Sequence, residues 1–323
     1  MSDFLNHLSS WMAHINEMEW FNYNISGVRG FRYLQNIVLR PNLLHAAAQF
    51  WDSDVHVFRF NGQELCPTVE EFEAYLGRDF LNEAVVPLKD GAATTLLVSF
   101  LGIKPTQARD ILRGGHIDVM AIIRLFSQAP NSRGYDWIGN TNHRHALNIC
   151  ILAGYLLFDP EGQPNPCLVG IARAIHLSRQ NVVSLVLTET IIGLDRVHNT
   201  ETVIFDLAYR NFLEEVDWPR VYTPQSISVR LMLNPRASMQ FWIETLGDIG
   251  LEDICWRRFG FEINHTAVHT SRFLRMVIPG LSRFTFYIPL CMFRQQGLDQ
   301  EIPPDDSDSF ELPNFSAAML RRF

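Results

Sequence analysis

Residues 143–158 and 181–194 are apolar on nearly every side of a helix, and a helix of that kind must be surrounded by other elements. Two such segments in one chain of 323 residues predict a bundle whose centre they form and which the remaining helices wrap. The first stays short of a membrane span. Leu147 to Phe158 is interrupted by Asn148 and Gly154 and does not reach the ~18 to 20 apolar residues that a bilayer requires. The start, Met1-Ser2-Asp3-Phe4, has neither the basic nor the apolar region of a secretory signal, so the expectation is a soluble chain that is not secreted and is therefore nuclear or cytoplasmic.

Around that centre the pattern is mostly helical. Between Phe4 and Trp20, Leu5, Leu8, Met12 and Ile15 recur at steps of three and four, as one apolar stripe would. A short helix fits Asn42 to Trp51, entered by Pro41. Val55 to Phe60 alternates as a strand does, Asn61-Gly62 signals a tight turn and Glu64-Leu65-Cys66 returns, which predicts a small hairpin. Thr68, with Glu71 three residues on, forms a capping box opening a helix over 69–76 that Gly77 closes. Pro105-Thr106 opens another helix, with Gly114-Gly115 as its stop, and 117–126 has helical spacing. Residues 129–142, with Pro130, Gly134 and Gly139, read as a loop or subdomain boundary, with Thr141 or Asn142 capping the helix that follows. Further helices are predicted at 167–177, 200–214, 225–233 and 236–246, and an extended segment at 284–288. The fold class expected is therefore mainly α: a helical, bundle-like globular domain with a small β-hairpin and a short extended segment near the C-terminus. The domains expected are a helical segment over 1–40, a helical domain over 41–304 and an acidic polar tail over 305–323.

Charge and motifs narrow the chemistry. Twenty-seven basic against 35 acidic side chains give a net charge of −8, which repels a phosphate backbone, so nucleic-acid binding would need a local basic patch. Arg257, Arg258, Arg272 and Arg275 among Trp256, Phe259, Phe261 and Phe273 offer one that could stack bases and pair phosphates. The same mixture also describes a helix surface beside a core. His265 and His269 are spaced as on one helix face and His143 and His145 are close, but neither pair has a matching carboxylate, so surface histidines or histidines with structural hydrogen bonds are expected. Ser99 lacks the glycines of a nucleophile elbow, and neither a P-loop nor a Rossmann fingerprint occurs. The five cysteines, at 66, 150, 167, 255 and 291, form no C-x-x-C pair and read as buried thiols. Glu189, alone in the apolar run Leu185 to Ile192, is a candidate acid or, as the more economical reading, a structural group paired with an arginine.

Two stretches carry a family likeness. Phe58-Arg59-Phe60-Asn61-Gly62-Gln63-Glu64-Leu65-Cys66-Pro67-Thr68-Val69-Glu70-Glu71-Phe72, ending at Leu76-Gly77, resembles the opening signature of the plant mobile domain proteins and their retrotransposon-associated relatives. Tyr287-Ile288-Pro289, followed by Arg294-Gln295-Gln296-Gly297-Leu298-Asp299-Gln300-Glu301-Ile302-Pro303, is similar to their closing pattern. Gln296 stands where that family usually has Phe, and Arg78-Asp79 replaces its Leu-Pro, which is similar to a divergent, uncharacterised plant branch.

The resemblance implies a plant nuclear module linked to retroelements and transposon silencing, working with phosphatase-like protein partners. It also carries the label aminotransferase-like. An aminotransferase holds pyridoxal phosphate through a lysine, and the chain has only Lys89 and Lys104, both in predicted loops without a phosphate cup. The expectation is thus no enzyme, no cofactor and no metal. The signature residues Pro67, Thr68, Glu71, Glu189, Tyr287, Pro289, Arg294, Gln295, Gly297, Gln300 and Pro303 are read as an interaction or structural set. Arg294 with its neighbouring amides is well suited to satisfying backbone carbonyls.

Overall fold

The computed structural model describes residues 2–15, 41–69, 72, 84–85, 93–127, 137–157, 163–178, 180–200, 238–249, 276–281 and 283–288. Among them the architecture is mostly helical, with small antiparallel sheets. The helices are α1 (Ser2–Ala13), α2 (Pro41–Ala48), α3 (Ala93–Leu101), α4 (Pro105–Ile111), α5 (Val119–Phe126), α6 (Trp137–Ile151), α7 (Cys167–Ser178), α8 (Val183–Thr200) and α9 (Met239–Gly247). The strands are β1 (Trp51–Asp52), β2 (Val57–Phe60), β3 (Gln63–Leu65), β4 (Leu112–Arg113), β5 (His116–Ile117), β6 (Met276–Pro279) and β7 (Phe284–Tyr287). No described helix is long and apolar enough to cross a membrane.

The two all-round apolar segments become α6 and α8, and both feed one continuous core. Leu147, Ile149, Cys150 and Ile151 of α6 and Val183, Leu185, Leu187 and Leu194 of α8 are almost completely excluded from solvent. α3, α5 and α7 pack on α6, while α8 meets α2, β1 and the β6–β7 hairpin. At its C-terminal end α6 widens into a π turn, Leu152–Leu156, closed by the Leu157 amide donating to the Leu152 carbonyl at 2.7 Å. The stripe predicted for the first helix is the face that packs: Leu8 and Met12 are buried, and Leu5 and Ile15 lie partly buried against the core.

The Asn61-Gly62 hairpin forms as predicted, with both residues at positive φ (45° and 79°), the turn that matches strand twist. It gains a third strand that periodicity did not show. The predicted helix over 42–51 stops at Ala48, and Trp51 and Asp52 instead pair with Phe58 and Val57. The Arg59 amide donates to the Phe50 carbonyl at 2.8 Å, so tertiary pairing takes the backbone groups a longer helix would have used.

Gly114-Gly115 is also reassigned. α4 ends earlier, at Ile111, and the two glycines, at φ 61° and 85°, make the turn of a second small hairpin between β4 and β5. A glycine stop and a two-glycine hairpin turn look alike locally; the Ile117 amide donating to the Pro164 carbonyl holds the strand in place from outside. The loop expected over 129–142 is helical from Trp137 on, so Thr141 and Asn142 lie inside α6 and not at its start. Packing of α6 on α5 outweighs the weak helix propensity of Gly139, Asn140 and Asn142.

The helices expected near 167–177 and 236–246 are present as α7 and α9. The predicted strand near 284–288 is β7, and it pairs with β6, which was not predicted. The expectations for 200–214, 225–233 and the tail over 305–323 lie outside the described residues, apart from the end of α8 at Thr200.

Candidate functional site

The two signature stretches, more than two hundred residues apart in sequence, meet at one cleft. Val55, His56, Cys66 and Pro67 line it from the first hairpin, Ile191 from α8, and Tyr287 and Ile288 from the C-terminal hairpin. Pro67 and Thr68 follow the hairpin, and the Thr68 carbonyl accepts from the Phe72 amide at 3.1 Å, one helical turn on; Glu71 and most of the helix expected over 69–76 lie outside the described residues. Tyr287 is buried opposite Met276.

His56 joins these parts. Its backbone sits at φ 56°, a left-handed conformation rare for a residue with a Cβ, at the corner between β1 and β2. Its ring is buried, stacked on Phe286 at 4.0 Å and nearly parallel to Trp51 at 5.9 Å. Nδ1 donates to the Phe286 carbonyl at 2.9 Å, and Nε2 lies 3.5 Å from Asp195 Oδ2 on α8. Trp51 Nε1 donates to the other oxygen of that carboxylate at 2.8 Å. One aspartate thus gathers β1, the corner and the C-terminal hairpin onto the central helix.

What this arrangement can do chemically follows from its bonds. A Cys66 thiol beside a histidine invites comparison with a nucleophile pair, which needs an imidazole nitrogen free to take the thiol proton. Both nitrogens of His56 are directed at oxygen partners, and the cleft has room for about one water, ~10 Å3. The geometry is that of a latch.

Glu189 belongs to the same union. Its Oε1 accepts from the Leu281 amide at 2.5 Å, in the turn between β6 and β7, and Gly280 comes so close that a Cβ there would lie 2.6 Å from the same oxygen. The half-buried carboxylate therefore takes a backbone amide as one of its partners. The hydrogen bond from the Gly280 amide to the Arg283 carbonyl, 2.8 Å, holds the turn it grips.

The histidine pair of α6 divides. His143 sits edge-on to Trp11 and Phe126. His145 is buried, with Nδ1 donating to the Phe100 carbonyl at 2.6 Å and its ring stacked on Phe100 at 3.8 Å. His176 of α7 meets it edge-on at 4.3 Å. Burial lowers the His145 pKa to about 4 against the hydrogen bond that favours its charge, and burial lowers that of His176 also. Among the described residues no group of three or more His, Cys, Asp or Glu is arranged to hold a metal ion.

Lys104 is exposed just before α4, with its amide donating to Gln107 Oε1 at 2.9 Å. The Ser99 hydroxyl donates to the Leu96 carbonyl within α3. Cys66, Cys150 and Cys167 are buried free thiols, and burial raises the Cys150 pKa well above that of a free thiol. Glu71, Pro289, Arg294, Gln295, Gly297, Gln300 and Pro303 lie outside the described residues, as do Lys89, His265, His269 and the arginines at 257, 258, 272 and 275.

Sequence reasoning missed His56, Trp51 and Asp195. Val55-His56-Val57 looks like an ordinary strand alternation, and Asp195 lies on an unremarked helix turn. Trp51 and His56 are neighbours in the chain, but only contacts over more than a hundred residues bring Asp195 to them, and no local signal announces such a meeting. A family model described as Domain of unknown function (DUF7745) matches residues 31–312. No curated protein and no solved structure matches the chain.

Proposed function

We propose, for a chain that belongs to the DUF7745 family of domains of unknown function, a non-enzymatic role as a protein-interaction module of a plant nuclear, retroelement-associated system. The observation that carries this reading is the cleft where the two signature stretches meet. It is filled by side chains that hold each other, with about one water's room, and its one imidazole has Nδ1 bonded to the Phe286 carbonyl and Nε2 3.5 Å from the Asp195 carboxylate. A reacting substrate needs a concave site and a free acid or base; a rigid scaffold that displays its surface does not. The exposed position of Lys104 at the start of α4 also favours a role without pyridoxal phosphate. The plant, nuclear and silencing context, and phosphatase-like proteins as the partners, rest on the resemblance of the Phe58–Phe72 and Tyr287–Pro303 stretches.

Affinity purification of the tagged chain from plant nuclei, followed by mass spectrometry, tests the reading. The expected result is a reproducible set of protein partners, phosphatase-like proteins among them, that survives nuclease treatment. Partners lost on nuclease treatment, together with salt-sensitive retention on DNA that Arg257→Ala with Arg258→Ala weakens, would replace it with nucleic-acid binding. A yellow protein whose colour disappears on replacing Lys89 or Lys104 would replace it with pyridoxal chemistry.

A further inference from the structure

The C-terminal hairpin depends on what it rests against. β6 and β7 pair with each other and, among the described residues, with no other strand, and a lone two-stranded hairpin is marginal in water. It packs on α8 and is gripped at two points. At its turn the Glu189 carboxylate accepts from the Leu281 amide; towards the end of β7 the Phe286 carbonyl accepts from His56 Nδ1. The partners of His56 fix how many protons suit it. A carbonyl oxygen only accepts, so Nδ1 carries a proton. A neutral ring then keeps a lone pair on Nε2, and that nitrogen lies 3.5 Å from Asp195 Oδ2, which is an acceptor too. The 2.8 Å bond from Trp51 Nε1 to Oδ1 favours the ionised carboxylate. Lone pair against carboxylate is repulsive, whereas an imidazolium presents an N–H to each oxygen. The ring also stacks on Phe286 at 4.0 Å and on Trp51 at 5.9 Å, and aromatic faces attract a cation. Of the other titratable and charged groups on the surrounding elements, Asp52 and Glu64 pair with Arg59, and Glu189 holds Leu281. Cys66 and Tyr287 line the cleft beside the ring, and Asp54 is exposed at the corner. Arg196 follows Asp195 on α8, and His198 turns its ring to the Ala48 carbonyl.

We propose that His56 is a proton-controlled catch for the C-terminal hairpin. Charged, it bridges the Phe286 carbonyl and the Asp195 carboxylate and holds β7 down. On losing its Nε2 proton it turns a lone pair on Asp195, the end of β7 lifts, and the cleft lined by Ile191 and Ile288 opens. Glu189 takes no part in that step, so the Leu281 turn stays attached and serves as the hinge. The attachment is complete below the pH at which His56 titrates and weakens as the pH rises through it, because the closed form is the one that binds the proton. The inference concerns how the cleft is held shut and stands or falls apart from the role proposed above.

Long-range proton–nitrogen NMR of the full chain, labelled at its histidines, reads the two ring nitrogens of His56 between about pH 6 and 9. Amide hydrogen exchange over the same range, expressed as protection factors, reads the hairpin. Both nitrogens of His56 are expected to be protonated at the acid end. As Nε2 loses its proton, protection of the β7 amides should fall about ten- to a hundredfold with the same midpoint, while α6 amides hold theirs. Two variants separate a catch from simple packing. Asp195→Asn keeps an oxygen for Trp51 and offers an N–H to the lone pair on Nε2, so its hairpin should stay protected after His56 deprotonates. His56→Gln keeps one N–H and has no proton to lose, so its hairpin protection should be flat with pH. The wild-type titration decides the matter alone if either variant fails to fold. A His56 that is neutral throughout the range, a hairpin whose protection ignores its deprotonation, or a loosening that persists unchanged in Asp195→Asn would each overturn the catch.

Discussion

Acidification should destabilise this protein through one buried ring, and the structure gives the size of the effect. His145 has Nδ1 bonded to the Phe100 carbonyl, while its buried Nε2 has no hydrogen-bond partner among the described residues. Protonation would place a cationic N–H at that nitrogen, beside His176 and with the Arg144 charge near, in a site that burial has stripped of water. The pKa falls from 6.5 to about 4 for that reason. On acidification the unfolded chain therefore takes up this proton first, and stability declines wherever the unfolded state binds more protons. The contribution is complete above pH 6.5 and is lost as the pH falls towards about 4. At about 1.4 kcal/mol per pH unit, the full loss comes to about 3 kcal/mol. Urea unfolding at pH 7.5, 6, 5 and 4 measures it, with His145→Gln as reference because glutamine keeps an N–H for the Phe100 carbonyl and has no proton to gain. The free-energy difference between the two chains should shift by about 3 kcal/mol across that range, against wild type at the acid end. A difference that stays constant with pH would refute the argument, since His176 and the carboxylates remain in both chains.

Other expectations concern the union of the C-terminal hairpin with α8. Glu189→Ala leaves the Leu281 amide without its carboxylate acceptor and should cost about 1 to 2 kcal/mol, read as a lower urea midpoint and faster proteolysis in the β6–β7 turn. Gly280→Ala should weaken the same turn by about 1 to 3 kcal/mol, because its Cβ would sit 2.8 Å from the Arg283 carbonyl oxygen, a backbone atom with little freedom to move. Trp51→Phe keeps most of the ring packing and removes the donor to Asp195; a thermal-unfolding loss of about 1 to 2 kcal/mol is expected, and an unchanged Tm would count against the latch. Cys150, buried and with its thiol pKa raised, should resist a thiol reagent in the native chain and react in urea, as peptide mass spectrometry can show; equal labelling in both states would contradict its placement.

Much of the helical framework was legible from spacing. The Leu5–Leu8–Met12–Ile15 stripe, the α7 and α9 segments and the Asn61-Gly62 hairpin are patterns written within a few residues of each other, so a local reading finds them. Errors gathered where one local signal serves two structures. Gly114-Gly115 can stop a helix or turn a hairpin, and Trp51 suits the end of a helix or a strand. In each case a partner elsewhere in the chain decides. The candidate site was legible only in part: Pro67, Thr68 and Tyr287 were singled out, yet the residue that ties their segments together, His56, carries no mark in its own neighbourhood.

Read alone, the amino-acid order determines that α6 and α8 lie at the centre, because segments with apolar residues on every side have no stable position in contact with water. It also determines the stripe that α1 buries. Tertiary structure decides what those helices meet. It turns Asp195 towards His56 and Trp51, seats Phe4 over Gly154 and hangs the C-terminal hairpin from Glu189. Hydrophobic burial is read from spacing along a few turns, whereas a hydrogen bond or a close approach depends on which distant backbone arrives beside it, and that is settled only when the whole chain has packed.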